Sequence, residues 1–72
     1  MLDWLKSELA GEDAFEVLVE VQSGPTTWIT YRGPLLAVDA SGLVMLVETV
    51  DEGDLRMCLR WDRIVHVALR YV

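Results

Sequence analysis

Tyr31-Arg32-Gly33-Pro34-Leu35-Leu36-Ala37-Val38-Asp39-Ala40-Ser41-Gly42-Leu43-Val44-Met45-Leu46 reads as two apolar runs joined at Asp39–Gly42. The first run carries Gly33 and Pro34 in its interior. Proline cannot donate to a β-ladder, and glycine weakens a strand unless the chain must bend there. The stretch therefore predicts a long strand bent at Gly33, with Pro34 where its missing N–H removes no ladder bond.

The same reading extends outward. Leu2, Leu5 and Leu9 share a helical face, with Asp3 near the start and Gly11 after the end, so a short helix is expected over residues 2–9. Such a helix is marginal alone and must pack as a lid. Phe15, Val17, Val19 and Val21 alternate with Glu16 and Glu20, which predicts a half-buried strand over 15–22. Gln22–Pro25 is a turn. The bent strand follows over 26–38, rich in β-branched and aromatic residues. Residues 43–50 are apolar apart from Glu48 and Thr49, as for a strand covered on both faces. Strands over 55–60 and 64–72 complete the chain, joined by the short Trp61-Asp62-Arg63. A helix followed by five antiparallel strands, one sharply bent, predicts a mostly β single domain over 1–72 that closes into a small barrel.

Composition sets further expectations. The chain has 72 residues, of which 53% are hydrophobic, and a domain this small buries only about 60% of the surface its unfolded chain exposes. The apolar excess predicts self-association. No apolar run approaches the roughly 20 residues of a membrane helix, and Met1-Leu2-Asp3-Trp4 lacks the regions of a signal peptide. The single cysteine, Cys58, suits a reducing cytoplasm. The net charge of −6 disfavours broad attraction to DNA, RNA or anionic membranes. It is unevenly spread, however. Residues 1–24 hold six acids and one base, giving −5, and residues 55–72 hold four arginines and one acid, giving +3.

With these elements in order, the sequence resembles the Sm and Sm-like (LSm) family, as a divergent member. Tyr31, Gly33, Leu35 and Asp39 stand at the spacings of the family's first motif, and Leu59, Arg60, Trp61, Asp62, Ile64, Val65 and Val67 follow its second. The resemblance implies a small Sm-like (SH3-like) barrel. It also implies a homo-oligomeric ring in which the fourth strand of one subunit pairs with the fifth of the next. Leu55, Met57, Leu59, Ile64, Val65, Val67 and Leu69 would then form the subunit interface. Single-stranded RNA is the implied partner; the charge and apolar run lengths above lead to the expectation of no DNA and no membrane partner. Two departures stand out. The family's first loop reads Asp-x-x-Met-Asn, whereas here Asp39 is followed by Ala40-Ser41-Gly42, without the base-holding asparagine or a stacking side chain. In the second motif Trp61 replaces a glycine.

The candidate RNA-binding residues are Asp39, Arg60, Trp61 and Asp62. Each has a plainer reading. Asp39 holds a ribose or base group, or caps a β-turn through its own side chain. Arg60 meets a phosphate or base, or pairs with Asp62 or Asp39 to fix the loop. Trp61 stacks on a base, or fills core or interface. Trp4 and Trp28 are expected between helix and barrel or between subunits, and Arg56 and Arg70 at solvated strand positions. His66 has no orienting partner or nucleophile, and one histidine with one cysteine makes no metal site. No catalytic residues, metal or cofactor are expected. The alternatives to an RNA-binding ring are an oligomer serving protein interaction and, more remotely, a small-molecule-binding barrel.

Overall fold

The computed structural model describes residues 2–71. Helix α1 (Leu2–Ala10) is followed by β1 (Phe15–Gln22), β2 (Trp28–Gly33), β3 (Leu35–Val38), β4 (Gly42–Thr49), β5 (Gly53–Arg60), a 3₁₀ turn (Trp61–Arg63) and β6 (Ile64–Tyr71). The strands form two three-stranded antiparallel sheets, ordered β2-β1-β6 and β3-β4-β5.

Two expectations need correction. The strand expected over 26–38 is two strands, β2 and β3, in different sheets. It begins at Trp28, because Thr26 and Thr27 belong to the preceding turn, where Ser23 N donates to Thr27 O over 3.0 Å. The break falls at Gly33-Pro34, and its cause is steric. A Cβ on Gly33 would lie 1.8 Å from the Leu46 carbonyl oxygen. The backbone can pass β4 this closely only without a side chain. Leu46 N donates to Pro34 O over 3.1 Å, so the bend is stitched to β4. The second correction is that the sheets do not close into a barrel. β5 bonds only to β4 and β6 only to β1. The 3₁₀ turn moves the chain from one sheet to the other instead of folding β6 back onto β5, which leaves both strands as open edges.

Seven buried apolar side chains make the core between the sheets and the helix: Leu5, Val17, Val19, Leu35, Leu43, Met45 and Val67. β1 contributes its alternating face as expected, with Phe15 and Val21 half-buried at either end. Leu5 is completely buried, so α1 acts as a plug. Within β4, Val44 and Leu46 on the outer face are half-buried, but Val50 lies beyond the strand in a turn and is fully exposed. Trp4 and Trp28 are 45% and 53% exposed, so neither fills the space between helix and sheets.

Candidate nucleic-acid interface

The two loops singled out by the sequence, residues 39–42 and 61–63, lie against each other. Gly42 opens β4 directly opposite Arg60 at the end of β5. A Cβ on Gly42 would sit 1.9 Å from the Leu59 carbonyl oxygen, so glycine is required at this junction. The second loop is then tied to the first through Trp61, at both ends of the residue. Trp61 N donates to Ser41 O over 3.1 Å. The indole Nε1 donates to Asp39 O over 2.9 Å.

Asp39 organises its own turn. Its Oδ1 accepts from Ser41 N at 2.7 Å and from Gly42 N at 3.1 Å. Its backbone N–H donates to Gly42 O at 2.9 Å. This is an Asx turn, in which the carboxylate stands in for a backbone acceptor. Arg60 reaches along its own loop, and its Nη2 donates to Asp62 Oδ2 over 3.0 Å. The two side chains are 77% and 60% exposed. An ion pair this exposed stabilises by about 0–1 kcal/mol, so either partner can leave it at little cost.

Trp61 is half-buried, packs against the core and borders two surface concavities. One, of about 490 Å³, is lined by Ala40, Ser41, Arg60, Trp61 and Asp62. The other, of about 390 Å³, is lined by Leu2, Ala40, Trp61 and Ile64 and is mainly apolar. The chemistry on offer is therefore a pinned aromatic ring, the Arg60 cation free to swing, and the Asp62 carboxylate. All four candidate residues lie on the two joined loops, although Asp39 lines neither concavity. The role that sequence reasoning missed is that of Trp61 as the tie between the loops. Its only signal was a tryptophan where the family pattern has glycine.

The interface candidates divide by burial. Val67 belongs to the core, while Met57, Leu59, Ile64 and Leu69 are half-buried against it. Leu55 and Val65 are 37% and 54% exposed along the open edges. Arg56 is exposed. Arg70 and Arg32 each lie 3.8 Å from the single carboxylate of Glu16. His66 and Cys58 are exposed on the two edge strands. Among the described residues, no three His, Cys, Asp or Glu side chains are placed to hold a metal ion. No described helix is long and apolar enough to cross a membrane. Tyr71 has its pKa raised, first by donating a 2.8 Å hydrogen bond to Glu8 Oε2, then by desolvation and the charges of Glu8 and Asp13. Compared with known proteins, the chain matches no family model, no curated protein and no solved structure.

Proposed function

We propose that this chain is a cytoplasmic subunit of an Sm-like homo-oligomeric ring that binds single-stranded RNA at a reduced base site. The observation that carries the reading is the joining of the two motif loops by Trp61, through its N–H to Ser41 O and its indole to Asp39 O. The indole supplies the stacking surface that the loop after Asp39 lacks, and base–aromatic stacking contributes about 1–3 kcal/mol per base. Arg60 leaves its exposed partner Asp62 to meet a phosphate. Asp39 acts as the turn cap that shapes the loop. The role proposed for this site is binding. In a ring it recurs at every subunit, so a weak contact gains by avidity.

A second reading, an oligomer that meets proteins and not RNA, is favoured by one observation. Trp4 is 45% exposed on an acidic helix that also carries Asp3 and Glu8. Exposed tryptophans are frequent anchors of protein interfaces.

Native mass spectrometry of nuclease-treated protein with a short oligouridylate separates the two. A ring that gains one oligonucleotide supports RNA binding, and Arg60→Ala then weakens it and lowers its salt dependence. A bare ring transfers the function to the second reading. A monomer removes both.

A further inference from the structure

We propose that Asp62 makes the base site select guanine: its carboxylate accepts the two adjacent donors of the guanine edge, N1–H and the N2 amine, while Trp61 stacks on the ring. This rests on the RNA-binding reading and adds the base that the site takes.

The concavity beside Trp61 is lined by Ala40, Ser41, Arg60, Trp61 and Asp62. Its hydrogen-bonding side chains besides the indole are one hydroxyl, one cation and one carboxylate. The other carboxylate of the two loops is already engaged. Asp39 Oδ1 accepts from Ser41 N and Gly42 N, and Asp39 does not line this concavity. Asp62 differs. Its side chain is 60% exposed, and Arg60 holds it through Oδ2 alone, at 3.0 Å. Once Arg60 turns to a phosphate, both Asp62 oxygens are without a charged donor, and the base beside Trp61 is the group at hand to supply one.

An ionised carboxylate only accepts hydrogen bonds. The four bases offer it different edges, and single-stranded RNA is read on those edges. Guanine presents N1–H and N2–H side by side, one for each oxygen. Adenine and cytosine each present one amine beside a ring nitrogen that is itself an acceptor. Uracil presents N3–H between two carbonyl oxygens, so a carboxylate that takes the N–H sets its second oxygen against a carbonyl. Hydrogen bonds to an ionised acceptor are roughly twice as strong as neutral ones, which sharpens the difference. The order that follows is guanine first and uracil last.

The rest of the site leaves this choice to Asp62. Stacking on an indole is tolerant of sequence, because every base has a π-face. An arginine on a phosphate positions the strand without reading it. The side chain that would match uracil's adjacent N–H and carbonyl is an amide, which offers an acceptor and a donor together. The chain contains no asparagine, and its single glutamine, Gln22, ends β1 opposite Trp28.

Fluorescence anisotropy at one fixed salt concentration tests this. The probes are labelled hexauridylate and the same strand with one central uridine replaced by guanosine, inosine, adenosine or cytidine. The guanosine strand should bind the native chain at least about fivefold more tightly than hexauridylate, as for a bidentate base contact. Inosine keeps N1–H but lacks the N2 amine, so its strand should fall between the two. Asp62→Asn should lose the guanine preference and favour uridine, whereas Arg60→Ala should weaken every strand and keep their order. Equal affinity for the guanosine and uridine strands overturns guanine selection and leaves RNA binding in place. A guanine preference undiminished in Asp62→Asn overturns the role of Asp62. Binding of no strand removes the RNA reading itself. If Asp62→Asn does not fold, judged by circular dichroism, the guanosine and inosine strands on the native chain carry the test, and equal affinity for those two overturns the two-point contact.

Discussion

At the scale of single residues, Gly33 and Asp39 set local geometry by different means. Gly33 does so by absence. A methyl group there would lie 1.8 Å from a backbone oxygen, and backbone cannot rotate away as a side chain can. Gly33→Ala should therefore lower unfolding free energy by at least about 3 kcal/mol, well above the centre of the range for single substitutions. Urea unfolding followed by far-UV circular dichroism measures it. Asp39 acts through one oxygen that accepts two backbone N–H groups. Asp39→Asn keeps a carbonyl oxygen in that place and should change stability by under about 0.5 kcal/mol, whereas Asp39→Ala leaves both donors to water and should cost about 1 kcal/mol. A larger loss in the asparagine variant would mean that the charge, and not the acceptor, matters. The sequence showed part of this. Gly33 inside an apolar strand marked a bend, because strands rarely tolerate glycine without reason. A turn aspartate fits ligand contact and turn capping equally, and only the 2.7 Å contact to Ser41 N distinguishes them.

At the scale of elements, α1 shows how a nine-residue helix persists. Helices this short are marginal in water. α1 is held by Leu5, completely buried, by Leu9 packed against the core, and by the Tyr71 hydroxyl on Glu8. The Tyr71 attachment has a pH signature. The folded protein raises the Tyr71 pKa above its ordinary value of 10.0, with the Glu8 hydrogen bond as the largest cause. A group whose folded pKa is raised contributes stability that is fully present below the unfolded pKa and is lost as pH rises through the folded one. Melting temperatures should therefore fall as pH climbs above about 10, and Tyr71→Phe should remove that part of the fall. An identical alkaline profile in the variant would show that the hydroxyl does not anchor the helix. Element types were legible because periodicity records them directly: period two in β1, helical spacing in Leu2, Leu5 and Leu9. The division of residues 26–38 was not, because a run of β-formers on both sides of Pro34 looks the same whether the chain bends within one sheet or passes between two.

At the scale of the whole molecule, the open edges dominate. A closed barrel would have removed them. The chain instead leaves β5 and β6 each paired on one side only. The apolar excess noted in the composition sits partly there, at Leu55 and Val65. Hydrogen exchange at high and low protein concentration should separate these strands from the rest. Amides of β5 and β6 should gain protection on concentration, while those of β1 and β4, bonded on both sides or stitched at the bend, should not. Uniform exchange at both concentrations would deny the edges a partner. Openness was invisible in the sequence, because a pattern of alternating residues is the same for a strand paired on one side as for one paired on two.

The turn between β4 and β5 has one more consequence. Thr49 closes it locally, its Oγ1 donating to Gly53 O at 2.7 Å and accepting from Glu52 N at 3.0 Å, while Val50 projects wholly into water. Nothing in the core leans on the tip. Exposed loop tips of this kind accept inserted sequence readily. An epitope or reporter spliced between Val50 and Asp51 would ride on the chain without entering its fold, so the hairpin offers an engineer a display point.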